Sequence, residues 1–142
     1  MYHKVIIVGH LGRDPEMRYT PDGTPVTTFS VATNRKWTSQ DGSQGEETVW
    51  WRVTTWRKLA EICNQYLSKG RPVLIEGVMR PDPQTGGPRV WTGNDGVARA
   101  SYEVTARTVK FLSARGEQAG AAPGVTEEEP PPGFVEENEI PF

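Results

Sequence analysis

The segment TVWWRVTTW, Thr48–Trp56, carries the clearest structural signal in the sequence. Its β-branched and aromatic residues alternate in character, which predicts a strand with two unlike faces. One face holds Val49, Trp51 and Val53 and suits a protein core, although Trp51 also suits a contact between subunits. The other face combines aromatic rings with a cation, in the order Trp50, Arg52, Thr54 and Trp56. This strand therefore predicts a β-sheet that exposes tryptophan beside arginine.

Further strands and one helix are predicted on either side of this segment. Residues Arg57–Lys69 have apolar side chains at helical spacing, and Gly70 follows as a stop signal. Runs of β-branched residues bounded by turn signals predict strands at residues 3–9, Pro25–Arg35, Arg71–Arg80 and Ala98–Leu112. This order of elements is that of an OB-fold, a five-stranded barrel that commonly binds oligonucleotides or oligosaccharides. We therefore predict an all-β OB-fold with one helix between its third and fourth strands.

Two polar segments are predicted to lie outside the barrel strands. Thr38–Gly45 is interpreted as a mobile hairpin loop, and Pro81–Gly96 contains two glycine-rich turn signals that predict a projecting arm. An extended stretch around Arg18 leads into a turn at Pro21-Asp22-Gly23.

Charge is distributed unevenly along the 142 residues, a length that suits one ordinary domain. Residues 1–115 hold all 16 Lys and Arg and carry a net charge of +5, whereas residues 116–142 hold seven Glu and no Lys or Arg. A basic domain joined to an acidic tail favours a polyanion partner for the first and a basic partner for the second. The alternative is that both charges only aid solubility.

The tail has a composition unlike that of the domain. After Leu112 the sequence is rich in Gly, Ala, Pro and Glu and has too few large apolar residues to offset the entropy of ordering. We therefore predict an OB domain over residues 1–112, a disordered linker over residues 113–135 and an acidic protein-binding tip over residues 136–142. The residues assigned to the tip are Glu136, Glu137, Glu139, Ile140, Pro141 and Phe142. A solubilising tail with a chance apolar ending is the alternative.

Most of the tryptophans lie next to cations, a pattern that predicts binding of single-stranded nucleic acid. Unpaired bases expose flat π-faces on which aromatic rings stack without reading base identity, and neighbouring cations contact the phosphates. The rings assigned to stacking are Trp37, Trp50, Trp56 and Trp91. The cations beside them are Arg35, Lys36, Arg52, Lys58 and Arg89.

No pattern in the sequence favours catalysis or a cofactor. His3 and His10 are the only histidines and lack the spacing of a metal site, and Cys63 is the only cysteine. We therefore expect no metal, no cofactor and no enzymatic activity. Neither end shows a signal peptide or a membrane-spanning segment, so we expect a soluble cytoplasmic protein without a membrane partner.

The sequence resembles the bacterial-type single-stranded DNA-binding protein family. The matching motifs are Lys4–Gly9, Leu11–Glu16, Arg18-Tyr19, Phe29–Thr33, Trp50, Arg52-Val53, Lys58–Glu61, Tyr66-Leu67, Lys69-Gly70, Ile75–Gly77 and the final Ile140-Pro141-Phe142. The resemblance implies a homotetramer associated with the nucleoid, which protects single-stranded DNA and recruits replication, recombination and repair proteins through its tip. It also implies stacking by the four tryptophans named above. The basic positions that it implies on the DNA path are Arg18, Arg52, Lys58 and Lys69.

Three departures from the family pattern and three alternatives remain open. Trp56 stands where many members have Phe, Trp51 where many have His near a subunit contact, and Pro81–Pro88 looks like an insertion before Trp91.

An OB-fold adaptor of a primosome or recombination complex, with incidental nucleic-acid binding, is the main alternative function, and a small OB-containing nuclease is the next. RNA is an alternative ligand because stacking and phosphate contacts do not test the 2′-hydroxyl strongly.

Overall fold

The structure, a computed structural model, describes residues 1–113. The predicted tip lies outside these residues, as does all of the predicted linker except Ser113. The described part contains seven strands and one helix. These elements are β1 (Val5–Leu11), β2 (Glu16–Tyr19), β3 (Pro25–Thr38), β4 (Gln44–Trp56), α1 (Lys58–Tyr66), β5 (Pro72–Met79), β6 (Arg89–Thr92) and β7 (Ala98–Phe111).

Five of the strands close into a barrel. β1 pairs with β3 and β5, β7 pairs with β5 and β4, and β4 pairs with β3, which returns the sheet to its first strand. All of these pairs are antiparallel except β4–β7, which is parallel. The two short strands are additions to this ring, β2 on the edge of β3 and β6 on the projecting part of β7. The predicted five-stranded OB-fold with one helix is confirmed.

The β3–β4 hairpin is longer than the sequence predicted. The two strands pair without a bulge from Val26 opposite Trp56 to Thr38 opposite Gln44. Only residues 39–43 form the turn, so the predicted loop Thr38–Gly45 is strand at both of its ends. The polar composition that suggested a loop instead supports a ribbon extending into solvent, because cross-strand ion pairs stabilise exposed strands modestly.

The helix is shorter than predicted. It starts at Lys58, directly after Arg57, whose φ of 57° breaks the strand geometry of β4. It ends at Tyr66 because Leu67 is extended, with φ −90° and ψ 147°. The predicted last turn, up to Lys69, is therefore a connection to β5 and not helix.

The core lies inside the barrel and beneath the helix. Its buried members include Ile7, Leu11, Phe29, Val31, Val53, Cys63, Val73, Ile75 and Val104. One buried hydroxyl ties the helix to the barrel, since Thr27 of β3 donates to the carbonyl oxygen of Ala60 at 2.7 Å. A second buried hydroxyl, that of Thr55 on β4, donates to the carbonyl oxygen of Thr27 at 3.1 Å and links the two strands. Burial raises the pKa of the Cys63 thiol to about 12, so this side chain is an inert part of the core.

Candidate nucleic-acid interface

The strand register places many of the predicted site residues on one outer face. Residues directly opposite one another in neighbouring strands project to the same side of a sheet. Trp56 of β4 lies opposite Val26 of β3, which in turn lies opposite Arg18 of β2. Val26 is fully buried although it belongs to the outer face, whereas Trp56 is 37% exposed. Trp56 and Arg18 therefore lie on either side of the buried Val26, and both of their side chains remain exposed to solvent.

The same outer face continues from β4 across β7 to β6. Arg52 lies opposite Ser30 on one side and Glu103 on the other. Further along β7, on the same side as Glu103, Ser101 lies opposite Arg89 and Arg99 lies opposite Trp91. The three tryptophans of this face are therefore Trp50, Trp56 and Trp91.

Trp50 is held in place by a glycine beneath its ring. The side chain is 55% exposed, and its six-membered ring lies so close to Gly12 that an added Cβ there would meet it at 2.5 Å. The Gly12 amide donates to the carbonyl oxygen of Ser30 at 3.0 Å, which fixes this backbone against β3. One face of the ring thus rests on backbone while the rest remains accessible.

Trp50 and Trp91 line a groove of about 310 Å³, which we call the aromatic groove. The described residues that line it are Arg13, Asp14, Glu16, Thr28, Phe29, Ser30, Trp50, Trp51, Arg52, Trp91, Ala100 and Ser101. The exposed rings of Trp50 and Trp91 and the guanidinium groups of Arg13 and Arg52 thus border one depression.

A second groove of about 350 Å³, which we call the arginine groove, adjoins the first. The described residues that line it are Arg18, Thr28, Arg52, Thr54, Arg80, Pro81, Asp82, Pro83, Arg89 and Glu103. Arg52 and Thr28 line both grooves, so the two form one continuous path. Within residues 1–113, Arg18 and Arg52 have no ion pair shorter than 4 Å, whereas Arg89 lies 4.0 Å from Glu103.

The structure does not bring Trp37 and its neighbours to these grooves. Trp37 lies opposite Gly45, which belongs to the same alternating set of β4 residues as Trp51. The Trp37 side chain therefore projects from the side of the β3–β4 ribbon that carries Trp51, opposite the side that carries Trp50. The guanidinium of Arg35 lies 5.1 Å from the centre of its ring. Lys36 projects to the outer face, where its Nζ is 3.9 Å from a carboxylate oxygen of Glu46.

Lys58 and Lys69 also lie outside the two grooves. Lys58 is the first residue of α1, and its Nζ is 3.8 Å from Glu61 in the next turn. Lys69 is exposed in the connection after the helix, and its amide donates to Asp14 at 2.8 Å. Asp14 lines the aromatic groove, so Lys69 is close to its border.

Sequence reasoning missed Arg13 and Arg80 as groove residues. Arg80 follows the last residue of β5, and its amide donates to the carbonyl oxygen of Glu103 at 2.8 Å, which anchors it beside β7. The only sequence signal for Arg80 as a groove residue was its position just before Pro81. Placing its side chain in the groove also requires knowing that the arm folds back over β7.

Trp51 packs on the opposite side of β4 from Trp50. It is half-buried against the core, and its Nε1 donates to the hydroxyl of Thr33 at 3.0 Å. Its ring lies 5.5 Å from that of Tyr102, which is 53% exposed. This position agrees with the predicted core face and leaves one aromatic neighbour open to solvent.

Within residues 1–113, no cluster of three or more His, Cys, Asp or Glu side chains has the arrangement of a metal site. No helix in this part of the chain is long and apolar enough to cross a membrane. The tip residues Glu136 to Phe142 lie outside the described residues.

The model of the Single-strand binding protein family matches residues 2–112. The chain belongs to this family. It is 45% identical over 121 residues to the single-stranded DNA-binding protein of Neisseria meningitidis serogroup A, a match covering 85% of this chain and 66% of that protein. It is 41% identical over 124 residues to that of Wolinella succinogenes, covering 87% of this chain and 72% of the relative. The chain thus spans about two thirds of the length of the Neisseria protein.

Solved structures of family members resemble the barrel. A Plasmodium falciparum SSB in complex with ssDNA superposes with a TM-score of 0.59 at 25% identity, over 74% of this chain and 86% of that one. The small single-stranded DNA-binding protein of Streptomyces coelicolor gives a TM-score of 0.62 at 22% identity, over 77% and 93%, and supports the fold alone. The resemblance predicted from the sequence motifs is confirmed.

Proposed function

We propose that this chain binds single-stranded DNA without strong sequence preference. The observation that carries the proposal is the continuous outer face, on which exposed tryptophans alternate with arginines around two adjoining grooves. Stacking of a base on an aromatic ring contributes about 1–3 kcal/mol and tolerates any base, because every base has a π-face. The arginines supply charge for the phosphates between successive bases. The P. falciparum family structure, a complex with ssDNA, also supports the proposal.

Single strands fit this face better than a duplex does. In a duplex the base faces are stacked on each other, so the rings of Trp50 and Trp91 would have nothing to stack on. A duplex could interact only through its phosphates, which the arginines would bind without using the aromatic groove. We therefore expect affinity for a single strand to exceed that for a duplex of the same sequence.

A homotetramer is the assembly that we propose. β1 carries Ile6 and Val8 on the side facing away from the core, and they are 61% and 48% exposed. Exposed apolar residues that alternate with a buried set favour an isologous contact with a second copy. The half-exposed pair Trp51 and Tyr102 offers a further apolar contact. The four-copy state is what the family resemblance implies.

We also propose that the segment Glu136–Phe142 recruits replication and repair proteins while the barrel is bound to DNA, which would place the protein at the nucleoid. Acidic residues followed by Ile140, Pro141 and Phe142 suit a small apolar pocket rimmed by Arg or Lys on a partner. Deleting Ile140–Phe142 should abolish recruitment of such a partner and leave DNA binding unchanged or stronger. Recruitment by a scrambled segment of equal charge would contradict a specific role for these residues.

The proposed function is tested by titrating the full chain with oligothymidylate and with a duplex of equal length while following tryptophan fluorescence. We expect quenching and tight binding with the single strand, and weak, strongly salt-dependent binding with the duplex. Equal affinity for both, or binding without quenching, would contradict the proposal and favour an adaptor with incidental nucleic-acid binding.

A further inference from the structure

Two carboxylates line the aromatic groove, where a negative charge opposes the binding of a polyanion. Asp14 and Glu16 border it together with Arg13 and Arg52. Within residues 1–113 the Glu16 side chain makes no hydrogen bond or ion pair. The Asp14 carboxylate, in contrast, accepts a hydrogen bond at 2.8 Å from the backbone amide of Lys69. The two carboxylates therefore carry the same charge, but only one of them holds another part of the chain.

Two connections that are far apart in the sequence lie side by side where β1 ends. Residues 12–15 join β1 to β2, and residues 67–71 join α1 to β5. The Gly70 amide donates to the carbonyl oxygen of Leu11 at 2.8 Å, and the Leu11 amide donates to that of Arg71 at 3.0 Å. These two backbone bonds hold the connections together at the last residue of β1.

Asp14 extends this contact into the connection that borders the groove. Among the side chains of residues 12–15, only that of Asp14 makes a hydrogen bond in the part of the chain that the structure describes. On the other side, the Gly12 amide donates to Ser30 of β3 at 3.0 Å. A segment attached at one point can pivot about it, whereas two separate attachments fix its orientation. Gly12 and Asp14 supply the two attachments, and Arg13 lies between them.

The segment fixed in this way supports the ring of Trp50. An added Cβ on Gly12 would meet that ring at 2.5 Å, and the next two residues border the same groove. A rotation of residues 12–15 would therefore move both the surface beneath the ring and the guanidinium of Arg13 beside it. A binding surface that is already in place costs less free energy to order when the ligand binds.

We propose that Asp14 is a positioning residue of the nucleic-acid interface, which holds residues 12–15 in the conformation that supports Trp50. The proposal rests on the proposed function and explains why a groove for a polyanion contains this carboxylate. The bond from the Lys69 amide needs an oxygen acceptor and does not need a negative charge, because the side-chain oxygen of Asn also accepts hydrogen bonds. Charge and position can therefore be changed separately at this residue.

The first test compares two neutral substitutions of Asp14. Asp14→Asn removes the charge and keeps the oxygen acceptor, whereas Asp14→Ala removes both. The affinity of the full chain for oligothymidylate is measured at low salt. We expect Asp14→Asn to bind about twofold more tightly than wild type, because one charge of the same sign as the phosphates is gone. Asp14→Ala should bind roughly 3- to 10-fold more weakly than Asp14→Asn, which corresponds to the net contribution of one hydrogen bond.

Glu16 supplies the matched control, because it borders the same groove and its side chain makes no hydrogen bond within residues 1–113. Glu16→Gln and Glu16→Ala should bind alike, both about twofold more tightly than wild type. Equal affinities of Asp14→Asn and Asp14→Ala would overturn the proposal, as would an equal difference between the two variants of Glu16. In either case the wild-type chain would still bind, so the proposed function would survive.

The attachment itself is measured by amide hydrogen exchange in the free protein. The Lys69 amide should be protected in wild type and in Asp14→Asn, and it should exchange faster in Asp14→Ala. The Gly70 amide, which is bonded to Leu11, should stay protected in every variant. Faster exchange at both amides in Asp14→Ala would show a general loss of structure and contradict a positioning role.

A double substitution shows whether Asp14 acts through the aromatic groove. In a Trp50→Ala background, the difference in affinity between Asp14→Asn and Asp14→Ala should shrink, because the ring that residues 12–15 support has been removed. An undiminished difference in that background would show that Asp14 acts on another part of the protein, and it would overturn the proposal.

Discussion

Arg35 covers the ring of Trp37, with its guanidinium carbon 5.1 Å from the ring centre. An added Cβ on Gly45 would collide with the same ring, so the indole also lies against backbone. The Arg35 Nε is 2.9 Å from Glu47, which lies directly opposite it on β4. A base that stacks on this side of the Trp37 ring must therefore displace the guanidinium, and the ion pair with Glu47 opposes that displacement.

Removing the carboxylate that holds Arg35 should strengthen DNA binding. Glu47→Gln frees the guanidinium for a phosphate, whereas Glu46→Gln removes the same charge from the Lys36 pair on the other face. Because exposed ion pairs contribute up to about 1 kcal/mol, Glu47→Gln should bind oligothymidylate about two- to fivefold more tightly than Glu46→Gln at low salt. Identical affinities for the two variants would show that the Arg35–Glu47 pair does not restrain this site.

Gly12→Ala should weaken DNA binding by moving the ring of Trp50. The new Cβ would meet that ring at 2.5 Å, and the ring must shift because the backbone amide of Gly12 is bonded to β3. We expect a loss of affinity with an unchanged melting temperature, measured by titration and by circular dichroism. In a Trp50→Ala background the same substitution should have no further effect. An equal loss in both backgrounds would contradict this explanation.

The buried thiol of Cys63 should make stability depend on alkaline pH. Its pKa rises from the usual 9.0 to about 12 on burial, so the unfolded chain ionises first. Because the thiol pKa is higher in the folded state, this thiol does not lower the free energy of unfolding below pH 9. It lowers that free energy progressively as the pH rises towards 12. Cys63→Ala should lack this part of the alkaline decline in urea-unfolding curves. Rapid reaction of the native thiol with a disulfide reagent at pH 8 would contradict its burial.

Trp51→Ala should destabilise the barrel or its assembly and leave the rings of Trp50, Trp56 and Trp91 in place. The substitution removes a half-buried ring and its bond to Thr33, at a cost of about 2–3 kcal/mol, below that of a fully buried tryptophan. The melting temperature and the mass measured by light scattering should both fall, and Trp51→Phe should recover most of the loss. Selective loss of DNA binding from a stable assembly of normal mass would reverse the face assignment of β4.

The alternation in Thr48–Trp56 was sufficient to separate Trp50 from Trp51, because a strand buried on one side must alternate. The alternation did not predict the side of the sheet from which Trp37 projects. The side from which Trp37 projects depends on the register of Thr38 opposite Gln44, and the polar residues there resemble a loop. Arg80 was missed for a related reason, since only the folded arm brings it to Arg18 and Arg52. Long-range pairing, which local composition does not encode, decided both cases.

The central claim, that the outer tryptophans bind single-stranded DNA, is tested most directly by the affinity of Trp50→Ala for oligothymidylate. Tyr19→Ala is the matched control, because Tyr19 is an exposed aromatic residue that projects from the opposite side of β2 to Arg18. Loss of one stacked base should weaken binding by about 1–3 kcal/mol, or roughly 5- to 150-fold, with the fold intact. Tyr19→Ala should bind like wild type. Normal binding by folded Trp50→Ala would contradict the account.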